Sequence, residues 1–206
     1  KMNELSQNSK LKKTSKYFNK RVYNFGIVAG KSKTGEITCP LAGKCLKYCY
    51  AQKGTYSWSN VEQAFERRFQ LSKKLDFVEK MMDNISRKKA DYIRVHDSGD
   101  YYSKEYLLKW LKITKNMPNV RFYSYTNNVN QIKKLYKKNE IPENFDFIFS
   151  DGGKQSHLID KKKDRHSAVF LTEQDLKKSD YKDAHNYDLY ATKWYNKSNK
   201  VGLLYH

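Results

Sequence analysis

The feature that most constrains this chain is an alternation of strand-like and helix-like segments along most of its length. DYIRVH (91–96) is short, β-branched and aromatic. SKEYLLKWLKITKN (103–116) follows with an amphipathic stripe behind a capping-type serine, and VRFYSYT (120–126) returns to strand chemistry. A helix over 129–138, strands at 145–150 and 167–171 and a short helix over 172–178 continue the pattern. Upstream, VYNFGIVA (22–29) reads as a first strand, with helices within 57–74 and over 76–88. Strands separated by helices cannot pair through tight hairpins, and each crossover returns the chain to the same end of the sheet. The expected fold is therefore α/β, with a mainly parallel sheet and a partial TIM-like (βα) barrel. Segments 188–192 and 201–206 read as terminal strands separated by a turn.

A length of 206 residues suits one domain able to bury a full core. We assign residues 21–206 to it. Residues 1–20 are polar, basic and without a clear period, so they read as a flexible basic N-terminal arm. A hydrophobic fraction of 38% argues against disorder. No apolar run approaches the roughly 18–20 residues that span a bilayer, and residues 1–20 lack the apolar centre of a signal peptide. The expectation is a cytoplasmic protein with no membrane partner.

Forty-one Lys and Arg stand against 22 Asp and Glu, a net charge of +19 that draws polyanions towards the surface. Nucleic acid is one expected partner. Lysines spread over solvated faces would give the same total.

Three cysteines, Cys39, Cys45 and Cys49, lie close together in CPLAGKCLKYCYAQKGTY, directly after the first strand. A disulfide framework would use an even number spread along the chain. Spacers of five and three residues, with Pro40, Gly43 and Gly54, allow the segment to wind around a small object, so a cysteine-rich metal loop is expected. A zinc site needs a fourth ligand, from His96, His157, His166, His185 or His206, none at finger-like spacing. A 4Fe-4S cluster held by three thiolates leaves one iron open to another ligand. Three buried thiols packed as small apolar groups are the plain alternative. Lys44, Lys47 and Lys53 would lower neighbouring thiol pKa values.

RVHDSGDYYS (94–103) gathers His96, Asp97, Ser98, Gly99 and Asp100 directly after a strand, where α/β proteins collect ligand groups. The next strand ends at Tyr125 and Thr126, and the one after at Ser150. Polar residues thus recur wherever a strand stops, which marks the eight residues as a cofactor-binding rim. An ordinary polar turn with Ser103 as helix cap is the competing reading. Tyr23, Tyr48, Tyr50, Tyr56, Tyr101, Tyr102, Tyr123 and Tyr125 can stack on bases or on an adenine, although tyrosine is also common strand and core material, and packing is favoured for most of them.

CPLAGKCLKYCYAQKGTY, RVHDSGDYYSKEYLLKW and VRFYSYTNN resemble the phage gene-product-88 family over roughly residues 22–206. That family occurs in bacteriophages and bacterial mobile elements and is distantly similar to radical S-adenosylmethionine enzymes. The resemblance implies a partial TIM barrel carrying a 4Fe-4S cluster. It further implies that S-adenosylmethionine chelates the open iron, with the HDSGD segment on the cofactor's polar parts. Those enzymes space their cysteines by three and two with an aromatic before the last, whereas here the spacers are five and three, with Tyr48 before Cys49. Three functional classes follow: a radical or other redox enzyme, a metal-stabilised nucleic-acid binder, and an adaptor acting on a host protein.

Overall fold

The computed structural model describes residues 3–205, apart from the side chains of Cys45, Tyr48 and Tyr50. Its centre is a seven-stranded sheet of β1 (Val22–Phe25), β2 (Tyr92–Val95), β3 (Arg121–Thr126), β4 (Phe145–Ser150), β5 (His166–Phe170), β6 (Lys182–Asp183) and β7 (Lys200–Leu204). The spatial order is β1-β2-β3-β4-β5-β7-β6, and every pairing is parallel. The sheet curls into a half-barrel. β2 is buried throughout and β4 nearly so, as strands covered on both faces must be.

The crossovers are α2 (Ser59–Ser72), α3 (Phe77–Lys88), α4 (Lys104–Asn116), α5 (Val129–Lys137) and α6 (Glu173–Lys178). α4 starts because the Ser103 hydroxyl accepts from Tyr106 N at 3.1 Å, and it buries Tyr106, Leu107, Trp110 and Leu111 on one stripe. Those side chains join Phe25, Ile93, Val95, Phe122 and Phe147 in a large core under the outer helices. Alternate strand residues face the other way. Tyr92, Tyr123, Ile148 and Val201 form a second, smaller core on the inner face of the half-barrel.

What fills that inner face departs from the sequence reading twice. Residues 1–20 hold a docked helix, α1 (Ser9–Phe18), where a flexible arm was expected. Asn8 caps it by accepting from Leu11 N at 2.9 Å, and Leu11 is fully buried in the inner core. The stripe is only Leu11, Thr14 and Phe18, too short to stand out among lysines. Segment 188–192, expected as a strand, turns instead through a 3-10 helix at Asp188–Ala191 and lies across the sheet. Leu189 and Ala191 plug the inner core, while Asp188 is held by side chains that no strand register would bring to it. The two-residue β6 had no signal in the sequence.

Among the described residues no helix is long and apolar enough to cross a membrane.

Candidate functional site

Strand residues on the inner face, together with the loops leaving the C-terminal ends of the strands, enclose a cavity of about 540 Å³. α1 and the 184–195 segment floor it, so the cavity occupies the upper half of the half-barrel. All eight rim residues expected from sequence line it: His96, Asp97, Ser98, Gly99, Asp100, Tyr125, Thr126 and Ser150. Cys39 and Cys49 line it as well. Apolar walls come from Ala29, Ala42, Leu46, Val169 and Leu203.

The 96–100 segment is locally strained. His96 adopts φ +69, a left-handed conformation uncommon for a residue with a Cβ. Its Nε2 shares a 2.7 Å hydrogen bond with the Tyr106 hydroxyl, and burial holds its pKa down at about 3, so the imidazole is neutral. His96 Nδ1 and Ser98 Oγ are buried and find no hydrogen-bond partner among the described residues. Gly99 sits at φ +82, and a Cβ there would lie 2.3 Å from the Ile27 side chain. Gly26 is equally constrained, since a Cβ would fall 2.1 Å from Asp97 Oδ1. The rim loop is thus packed directly onto the chain leaving β1.

The two carboxylates differ. Asp100 is a brace: Oδ1 accepts from Tyr101 N at 2.8 Å and Thr126 Oγ1 at 2.7 Å, and Oδ2 from Asn127 N at 2.9 Å. It ties the β2 loop to the end of β3. Asp97 receives the Tyr56 hydroxyl at 3.3 Å and lies near Arg94 and Arg68. Burial pushes both carboxyls up, and neither the two arginines around Asp97 nor the donors around Asp100 reverse it.

Below them lies an ion cluster. Asp188 is fully buried and accepts from Arg94 Nη1 at 3.1 Å, Lys10 Nζ at 2.9 Å and the Tyr123 hydroxyl at 2.5 Å. Burial drives its pKa up, but Arg94 and Lys10 drive it further down, to about 2. Arg94 and Lys10 also line the cavity. Sequence reasoning missed both, although an arginine inside the apolar strand DYIRVH was a visible signal: a buried charge needs a partner.

The cysteine loop does not form the expected metal centre. Among the described residues no group of three or more His, Cys, Asp and Glu is placed to hold a metal ion. Cys39 sits in a desolvated pocket, where burial and then the nearby Asp100 push its thiol up to about 12. Its Sγ accepts a long 3.5 Å contact from Gly30 N. The Cys45 side chain lies outside the described residues, as does His206. The described residues thus contradict the 4Fe-4S reading and its zinc variant. Beyond the half-barrel sheet, nothing in the described residues supports the likeness to radical S-adenosylmethionine enzymes.

A family model described as "Gene product 88" matches residues 2–203. The Gene 88 protein of Mycobacterium phage L5 is 26% identical over 139 residues, covering 62% of this chain and 56% of the relative. The chain thus spans little more than half the length of that curated relative. No solved structure matches.

Proposed function

The chain belongs to the Gene product 88 family, and we propose that it binds a small organic ligand of about nucleoside size in the mouth of its half-barrel. The observation that carries this reading is the convergence of strain and unsatisfied polarity on one cavity rim. His96 is left-handed, and His96 Nδ1 and Ser98 Oγ are buried without partners among the described residues, all within three residues at a strand C-terminus. Folds tolerate such costs mainly where a site needs them.

The cavity volume falls within the roughly 300–1,000 Å³ typical of organic-ligand sites. Its apolar walls suit a flat or hydrocarbon body. Ser98 and Ser150 offer hydroxyls at the rim, and Asp97 accepts a hydroxyl or amine donor. Burial raises the Asp97 carboxyl above the usual carboxylate range, which eases proton uptake beside the ligand. S-adenosylmethionine loses the iron-chelating mode that the family resemblance implied and remains a ligand of suitable size and polarity.

The test is a thermal-shift and calorimetric screen with adenosine, S-adenosylmethionine and related nucleosides and amino-acid derivatives. We expect at least one saturable binder. Ser98→Ala should weaken it about three- to tenfold while leaving stability equal or slightly higher, since an unpaired buried hydroxyl is removed. Val169→Trp, on the cavity wall, should abolish binding. Absence of any binder across the panel, or a binder indifferent to Val169→Trp, sinks the proposal.

A further inference from the structure

Aromatic rings on the plug of the half-barrel form a continuous track. Tyr187 stacks on Tyr17 with centroids 4.0 Å apart, and Tyr17 meets Tyr190 at 6.4 Å. Tyr190 meets Phe18 at 5.2 Å, and Phe18 meets Tyr195 at 4.6 Å. Beyond Tyr195, the buried Tyr92 links the track to Trp194, with centroids at 6.2 and 5.9 Å. The track reaches the N-terminal ends of β2 and β3, away from the cavity, which opens at the strands' C-terminal ends.

Packing explains only part of this arrangement. Phe18, Tyr190, Trp194 and Tyr195 rest against the inner core but remain partly exposed, and Tyr17 is 56% exposed. Four cations stand over the rings. Lys13 lies 4.9 Å from Tyr187, Lys182 4.3 Å from Tyr190, and Arg121 and Lys193 lie 5.0 and 5.4 Å from Trp194. Among the described residues no carboxylate pairs with Lys13 or Lys182, whereas several lysines elsewhere do have acidic partners.

We propose that this track is a docking surface for single-stranded nucleic acid. Exposed rings supply faces and edges on which unpaired bases stack, and interleaved cations meet the phosphates running beside them. The charge complementarity is strong, since the chain as a whole carries +19. A duplex hides its base faces, so it gains only the phosphate contacts. The surface is independent of the small-ligand cavity, and either assignment can fail alone.

The experiment is fluorescence anisotropy of the full chain with a labelled thymidine strand of about 20 nucleotides. The same strand in a duplex, vesicles of anionic lipid, and salt between about 50 and 200 mM complete the comparison. Single strands should bind about tenfold or more tighter than duplex. Lys13→Glu with Lys182→Glu should weaken binding at least about tenfold and make the salt slope shallower by about two. Lys112→Glu with Lys115→Glu makes the same change of charge on exposed positions of α4, against the opposite face of the sheet, and should cost less than about threefold. Tyr17→Ala should lose about fivefold or more with an unchanged salt slope, and Tyr17→Phe should retain affinity. Equal losses from the two lysine pairs would reduce the effect to net charge and overturn the proposal. Duplex binding as tight as single-strand binding would overturn it too, as would binding to vesicles alone.

Discussion

Replacing Asp188 with alanine removes the anion on which α1, β2 and β3 converge. In the folded chain it is fully buried and holds Arg94, Lys10 and the Tyr123 hydroxyl, and its own N–H donates to Thr14 Oγ1 at 3.0 Å. Breaking a buried pair by removing one partner usually costs about 3–5 kcal/mol, because the remaining charge stays buried without compensation. Lys10 already has its pKa lowered, by burial above all, so it can shed a proton once its partner is gone. That relief puts the expected loss near about 3 kcal/mol, a large share of the roughly 5–15 kcal/mol that holds a domain folded. The pH dependence has a definite sign. A folded pKa of about 2 lies below the usual carboxylate value, so the stabilisation is complete above roughly pH 4 and fades as pH falls towards 2. This linked part is worth about 2 kcal/mol. Urea unfolding followed by tryptophan fluorescence at neutral and acid pH reads both effects. Wild type should exceed Asp188→Ala at neutral pH, with the gap narrowing in acid. A loss below about 1 kcal/mol at neutral pH, or a gap that widens in acid, would refute the ion-cluster account.

The docked N-terminus predicts that Leu11→Ala costs about 2–5 kcal/mol in chemical denaturation, because its side chain is fully buried in the inner core; a neutral result would return residues 1–20 to the status of a mobile arm. The Cys39 thiol, pushed up to about 12, should react with iodoacetamide at mildly alkaline pH at least about a hundredfold more slowly than a free thiol, and at the ordinary rate once the chain is unfolded. Mass-spectrometric timing of its modification checks this, and thiolate-like speed in the folded chain would contradict it. Asp97→Asn should leave Tm unchanged or raised at neutral pH, because burial lifts the carboxyl's pKa despite Arg94 and Arg68 and ionising it costs folding free energy. As pH falls and wild-type Asp97 takes up its proton, the advantage should shrink; a Tm several degrees lower at neutral pH would show that the arginines need the anion.

The sequence carried the strand-helix order because parallel α/β units repeat two local periods that need no long-range information. Segments 91–96, 120–126 and 145–150 hold β2, β3 and β4 to within a residue, and Ser103 caps α4 as its position before an apolar stripe implied. The rim residues 96–100 were legible for a similar reason: strand ends in a parallel sheet share one edge, so polar groups there must meet. The plug was not legible. DLYAT has strand-like composition, but Asp188 cannot be read as the partner of Arg94 without knowing that α1 lies alongside. The cysteines mislead in the opposite direction. Spacers of five and three residues permit convergence of thiols without requiring it, and the short 3-10 turns at Lys44–Tyr48, Tyr50–Gln52 and Gly54–Ser57 set the backbone by other means.

The two faces of the sheet differ in what they bury. The outer face is almost wholly apolar, with Trp110, Phe25, Phe122 and Phe145 fully buried among the crossover helices. That burial is the main source of stability. The inner face mixes apolar packing with buried charge: Arg94 and Asp188 at the floor, Asp97 and Asp100 at the rim. Buried ionic groups of this kind add little net stability over apolar packing of the same volume. They fix geometry instead, since each accepts a limited set of partners at set distances. Asp100 fastens the β2 loop to β3, Arg94 joins β2 to the plug, and Gly26 lets the chain leaving β1 close onto Asp97. With the strand ends braced in this way, the left-handed His96 and the unpaired Ser98 hydroxyl are held in place at the cavity rather than relaxed away from it. The outer core bears that strain.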